Sequence, residues 1–243
     1  MHSQLPFTEL LNRLFAGPVV ALLHALGIHP HNPAAPIPNY VAMQVLVVLL
    51  LVLFFIVVRS RLSVDKPGAL QHVMEGIHGF VGGLGEEIIG HHHKRYDSYL
   101  IALGMFILGC NLIGLIPAFE SPTGIPSVPL GCAVVTWFYY HTQGIRANGL
   151  GYVKHFMGPV WWLAPLMLPI EIFSHLARIL SLTIRLFANI FAGDMVTLVF
   201  FSLIPIGVPI IFLGLHIGVS FIQTYIFVLL ATVYLSEATA HEH

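Results

Sequence analysis

Along the chain, uncharged apolar runs alternate with short polar stretches. A bilayer core about 30 Å thick takes about 20 apolar residues in helix. Five stretches match or approach that length: 40–58, 98–119, 125–143, 160–204 and 206–235. The third is the most polar, with Pro126 and Pro129 at its start, where proline is tolerated, and Thr136, Tyr139, Tyr140 and His141 at its far end. The last two are too long for a perpendicular crossing. At about 1.5 Å per residue, 206–235 makes about 45 Å of helix, so strong tilt or protrusion is required. Between the first two spans, Leu70, Val73, Met74, Ile77, Phe80 or Val81, Leu84 and Ile88 recur at helical spacing, with Gln71, His72, Glu75, His78 and Glu86 on the other side. That pattern predicts an amphipathic helix over about 67–90, lying in the membrane interface or against a partner. Its many glycines favour close contact with another backbone. Ahead of the first span, Gly17-Pro18 breaks an apolar run, and Pro30, Pro33, Pro36 and Pro38 mark an extended linker.

The expected fold is therefore an all-α polytopic membrane protein. It has five transmembrane helices and one interfacial helix, with the last two spans long and strongly tilted. Residues 1–39 form an outside segment and linker, 40–237 the membrane domain and 238–243 a cytoplasmic tail.

Composition narrows the class. Of 243 residues, 57% are hydrophobic and 9% charged, against about 25% charged in an average globular protein. Disorder, a nucleic-acid module and a secreted disulfide scaffold are thereby excluded, and a net charge of −1 offers no basic field. Residues 1–13 hold a single basic residue, Arg13, so the start does not resemble a cleaved secretory signal. Cys110 and Cys132 sit inside apolar runs and read as small buried hydrophobes. Arg59, Arg61, Lys66, Lys94 and Arg95 follow the first span, and Arg146 and Lys154 follow the third. Cytoplasmic loops are enriched in such residues, which places the amino terminus outside and the carboxyl terminus inside.

The chemistry lies in the fourth run, which carries Glu171, Arg178, Arg185 and Asp194. An ionisable group at mid-bilayer costs about 2.5–3.5 kcal/mol even on the lenient insertion scale, and such groups mark ion pathways or relays. Glu171 and Arg178, nearer an end, have an alternative reading as snorkelling groups. At about 100° per residue, Arg178, Ser181, Arg185 and Asn189 form one stripe, while Asp194 faces the opposite side. One helix must then touch two polar environments, one with a fixed cation and one with a titratable carboxyl. Arginine stays protonated and cannot pass protons on, whereas aspartate and histidine can. On the last run His216 and Gln223 share a face beside Gly214 and Gly218, a small-residue track that lets a helix approach. A lone intramembrane histidine is often a satisfied core residue, but next to an Asp-bearing helix it is a candidate relay. His91-His92-His93 reads as a solvated loop, since adjacent helical residues point apart and no HExxH or CxxC companion exists. Neither a phosphate-binding loop nor a Ser/His/Asp spacing is present, so no catalytic site, cofactor or metal is expected.

The run Ser181-Leu-Thr-Ile-Arg185-Leu-Phe-Ala-Asn189-Ile-Phe-Ala-Gly193-Asp194 closely resembles the signature of subunit a of the F-type ATP synthase membrane sector. Asn111-Leu-Ile-Gly-Leu-Ile-Pro117, the His216 and Gln223 spacing and the ending Val233-Tyr-Leu-Ser-Glu237 extend the resemblance over 40–237. It implies a non-catalytic stator of the bacterial inner membrane, partnered by a c-subunit ring and peripheral-stalk b subunits. Such a stator feeds protons to ring carboxylates through two half-channels. By resemblance Arg185 faces the ring; Asp194, Asn189, His216 and Gln223 match the ring contact and outer half-channel; Glu171, Ser174 and Ser181 match the inner one. Relatives often carry Glu or His where this chain has Asp194, whose stem is one carbon shorter than that of Glu. The alternatives, from other classes, are a free-standing secondary transporter or channel and a histidine-based membrane metalloenzyme. Against the transporter, the five spans do not divide into equal repeats.

Overall fold

A computed structural model describes residues 5–29, 32–63, 66–116, 119–149, 151–152, 164–203 and 208–240. These comprise seven α-helices and one short 3₁₀ turn: α1 (Pro6–Ala25), α2 (Asn39–Ser60), α3 (Ala69–Ile88), α4 (Lys94–Ile113), the turn Pro122–Gly124, α5 (Ser127–Asn148), α6 (Ala164–Leu203) and α7 (Val208–Thr239). The fold is all-α. Four helices, α2, α4, α6 and α7, are long and apolar enough to cross a membrane. The start of the fourth predicted run (160–163), the junction 204–207 and the tail from 241 lie outside the described residues.

Helix α2 is apolar on every side, with mean hydropathy 3.3. It buries Met43 and Val47 against Cys110 and Ile113 of α4 and leaves Leu49, Leu53 and Ile56 exposed. That all-round apolarity is what a lipid-facing helix requires. Helix α4 is the most buried of the four helices of spanning length. Its Leu100 and Ile107 join Leu186 and Ile190 of α6 and Phe227 and Leu235 of α7 in one buried cluster. Cys110 and Cys132 are buried free thiols.

Several boundaries and placements differ from the sequence expectation. Residues 6–25 form a helix although Gly17-Pro18 reads as a break. Proline at the first helical position is favourable, and the rest is held from outside: the Asn12 amide donates to Ile37 O at 3.1 Å, and its Oδ1 accepts from Ile37 N at 3.0 Å. Docking onto the linker replaces what Pro18 removes. The second span ends at Ile113 rather than 119, because the chain folds back: a Cβ at Gly114 would sit 2.5 Å from the Ser121 side chain and 2.9 Å from its backbone. It also begins at Lys94, with Tyr96 and Asp97 buried. Helix α3 splits its apolar face, setting Val81, Gly82 and Gly85 against α4 with Met74 and Ile77 alongside, while Leu70, Val73 and Phe80 stay exposed. Only Gly82 and Gly85 of its glycines make the close approach; Gly76, Gly79 and Gly83 have open space. His93 is not solvated: it is buried, with Nδ1 3.0 Å from an oxygen of buried Asp97. His91 and His92 are exposed.

Helix α5 is as long as α2 but mixes in Thr136, Tyr139, Tyr140, His141 and Gln143 from its middle onward, which keeps it below the apolarity of the other four. Helices α6 and α7, of 40 and 32 residues, run to about 60 and about 48 Å, and α7 continues four residues past the predicted end. They lie side by side and carry nearly all of the intramembrane chemistry.

Candidate functional site

Three polar groupings line up along α6. In the middle, Arg185 donates to Ser181 Oγ at 3.3 Å, one turn away. Among the described residues no carboxylate lies within 4 Å of its guanidinium. One turn further on, Asn189 Nδ2 donates to Gln223 Oε1 at 2.7 Å, tying α6 to α7. Gln223 is buried.

Beyond Asn189, Asp194 points away from the arginine stripe and toward α7, with Oδ1 3.6 Å from His216 Nδ1. That gap is too long for a direct hydrogen bond and short enough for a small side-chain shift to close. His216 is 4% exposed and the Asp194 side chain 35%. The imidazole reaches α6 because residue 193 is glycine: a Cβ there would lie 3.0 Å from His216 Nδ1. His216 Nε2 is buried without a partner among the described residues, although a buried polar nitrogen ordinarily has one. The small residues beside it, Gly214 and Gly218, meet nothing within 4 Å among the described residues, so the close helix approach on this face is made at Gly193 instead.

Sequence reasoning quoted Asn111 in a motif but missed the rest of the far wall of this grouping. Gly124, in the 3₁₀ turn, would place a Cβ 3.3 Å from Asp194 Oδ2. Its neighbour Thr123, fully buried, donates to Asn111 Oδ1 at 2.7 Å and pairs with Ser121 at 3.1 Å. Asn111 Nδ2 is a second buried donor without a partner among the described residues. Outermost, Asn39 donates to Glu120 at 3.2 Å. The available signal was four small or polar residues, Ser121 to Gly124, between two apolar runs.

At the other end of α6, Glu171 Oε1 lies 3.3 Å from His175 Nε2, and His175 Nδ1 lies 2.9 Å from the Tyr140 hydroxyl. His141 Nδ1 is 2.7 Å from the Tyr152 hydroxyl. Burial pushes the Tyr152 phenol up to about 12, so it is a donor at neutral pH. Arg178 forms a two-pronged pair with Glu237, at 2.7 and 2.9 Å, and lies 4.8 Å over the Tyr234 ring. Arg178 is therefore a paired cation rather than a snorkelling one, and Glu171 faces an imidazole. Glu171, His175, Arg178, Tyr140, Tyr152 and Glu237 line a common cavity. Ser174, on the adjoining face, is half-buried and outside that lining. His175 and Tyr152 were not singled out from the sequence, and Tyr140 and Glu237 entered only as the polar end of the third run and the last residue of a quoted ending.

Helices of spanning length, with ionisable groups spaced along two that pack together, define a multi-pass membrane protein. Residues 41–236 match the model of the family described as ATP synthase A chain. The chain is 64% identical over its whole length to ATP synthase subunit a of Koribacter versatilis, also aligned in full. It is 51% identical, over 96% of its length and all of the relative, to that of Solibacter usitatus. It is 40% identical to that of Geobacter sp. strain M21, over 91% and 94% of the two chains. The chain belongs to the family of subunit a of F-type ATP synthases, and its place is in the membrane sector of that complex.

Proposed function

We propose that this chain is the ion-translocating stator of its ATP synthase. In this reading the Asp194 and His216 grouping, with Asn189 and Gln223, opens an outer half-channel, and the Glu171 grouping, with Ser174 and Ser181, opens an inner one. Arg185 stands between them facing a ring of c subunits. The ring carboxylate arrives protonated, loses its proton on one side, is held as an anion by Arg185, and takes a proton from the other side. The fixed guanidinium charge repels a proton crossing directly between the half-channels. Each 100 mV supplies about 2.3 kcal/mol per charge, so several steps of a rotor accumulate the work of a synthesis driven elsewhere in the complex. No bond chemistry occurs in this chain. Helices α2, α4, α5, α6 and α7 are then the five spans, tilted in the case of the last two, in a bacterial inner membrane. The amino terminus is outside and the carboxyl terminus cytoplasmic, with peripheral-stalk b subunits holding the chain against rotation.

The observation that carries this reading is that Arg185 has no carboxylate partner among the described residues, while Arg178, two turns away on the same stripe, has Glu237. An intramembrane cation left without an internal partner is set for an external anion, since its cost in lipid is otherwise unrelieved. The test is Arg185→Ala in vesicles holding the assembled complex. ATP-driven pumping and synthesis should be abolished, while passive proton flow persists once the catalytic head is stripped. Native-rate pumping in assembled complex would remove Arg185 from the mechanism.

A further inference from the structure

The inner grouping holds more than a single carboxyl open to water. His175 is buried, yet both ring nitrogens face a titratable oxygen: Glu171 Oε1 at 3.3 Å from Nε2 and the Tyr140 hydroxyl at 2.9 Å from Nδ1. Glu171 is the wetter end, its side chain 31% exposed, and Tyr140 the dry end, 2% exposed. Resting on the stator role proposed above, we infer that Tyr140, His175 and Glu171 form a three-member proton relay at the inner mouth, with His175 the residue that passes the proton between phenol and carboxylate.

The geometry sets the resting form. With Nε2–H turned toward the Glu171 carboxylate, Nδ1 is left to accept the Tyr140 O–H. A proton moving inward binds the phenol oxygen as that oxygen releases its own proton to Nδ1. The Nε2 proton then passes to Glu171, which gives it to water. Only O–H and N–H bonds form and break, and each group ends with the charge it began with; the ring is left as its Nδ1–H tautomer and is reset when, swung toward the water at Glu171, it releases the Nδ1 proton to that water and takes another from it at Nε2. Outward transfer is the reverse. The titratable and charged groups around the ring fit the task. On the α5 side the His141 ring stands 4.6 Å from His175 and meets the Tyr152 hydroxyl. On the opposite wall Arg178 is paired with Glu237 and covers Tyr234.

A purely structural tie between α5 and α6 would use the same distances, so the test must separate bonding from titration. Proton flux is measured at a set potential through the assembled complex in vesicles with its catalytic head removed. His175→Gln keeps hydrogen-bonding groups but cannot carry a proton. It should lower flux roughly tenfold, less than the full effect of a positioned acid–base group because water still reaches Glu171. His175→Gly should fall similarly and recover with imidazole added on the inner side, but not with pyrazole, a ring of the same size that stays unprotonated at neutral pH. Native flux in His175→Gln, or recovery indifferent to which ring is added, overturns the relay. Should both histidine variants fail to assemble, Tyr140→Phe, which removes one oxygen, decides: lowered flux supports the relay and native flux overturns it. Arg185→Ala, assayed for ATP-driven pumping in vesicles holding the complex with its catalytic head attached, separates the two readings. If it leaves pumping native the stator reading fails, whereas its loss beside a fully active His175→Gln removes the relay alone.

Discussion

At the scale of single residues, the two ends of α6 differ in what holds their acids. Asp194 meets His216 across 3.6 Å with no third side chain hydrogen-bonded between them among the described residues. If that gap is bridged during transport, the two residues act as a unit. Pumping measured for Asp194→Asn, His216→Ala and the double variant should show a combined loss well short of the product of the single losses, since groups in one network couple by about 0.5–3 kcal/mol. Strictly multiplicative losses would separate the sites. Arg185 and Asp194 were legible from sequence because a charge inside an apolar run is costly anywhere except at a purpose. His175 was not, because one histidine on a helix says nothing about which side chains from α5 face it. Tyr140 likewise read only as the polar end of a weak span, and it comes from 35 residues earlier in the chain than the His175 it meets.

Among elements, the docking of α3 on α4 depends on one missing side chain. Gly85 packs where a Cβ would lie 2.9 Å from the His93 Cβ and 3.1 Å from Asp97 Oδ1, both buried. Gly85→Leu should therefore lower the thermal stability of the purified complex, with an overpacking cost of about 1–3 kcal/mol. Gly83→Leu, two residues away with nothing within 4 Å, should be nearly silent in the same melt; equal losses would place the effect in helix propensity rather than packing. Element types followed from hydrophobic period, which is why α2, α3, α6 and α7 match expectation to within a few residues. Tertiary contacts set what the period could not. Asn12 bonding to Ile37 carries α1 through Pro18, and Ser121 pressing on Gly114 cuts α4 short.

For the whole molecule, residues near one another across different helices fall on two levels. Gly124 and Asn111 lie with Asp194 and His216, while Tyr152, Ile88 and Glu237 lie with the opposite ends of α6 and α7, Ser236 donating to Ile88 O at 2.8 Å. Together with the basic residues after the first and third runs, this predicts that a reporter joined after His243 is active only in the cytoplasm and that a cysteine label placed in α1 reacts from outside. A carboxyl-terminal reporter active only outside would invert the topology.

The unpartnered guanidinium of Arg185 has a consequence for how the complex comes together. Arg178 is paired with Glu237, but no carboxylate among the described residues lies within 4 Å of the Arg185 guanidinium. On the stator role proposed above, the carboxylate that balances it is brought by a subunit of the c ring. The charge proposed to gate the rotor would then also be the one that leaves this subunit incomplete without it.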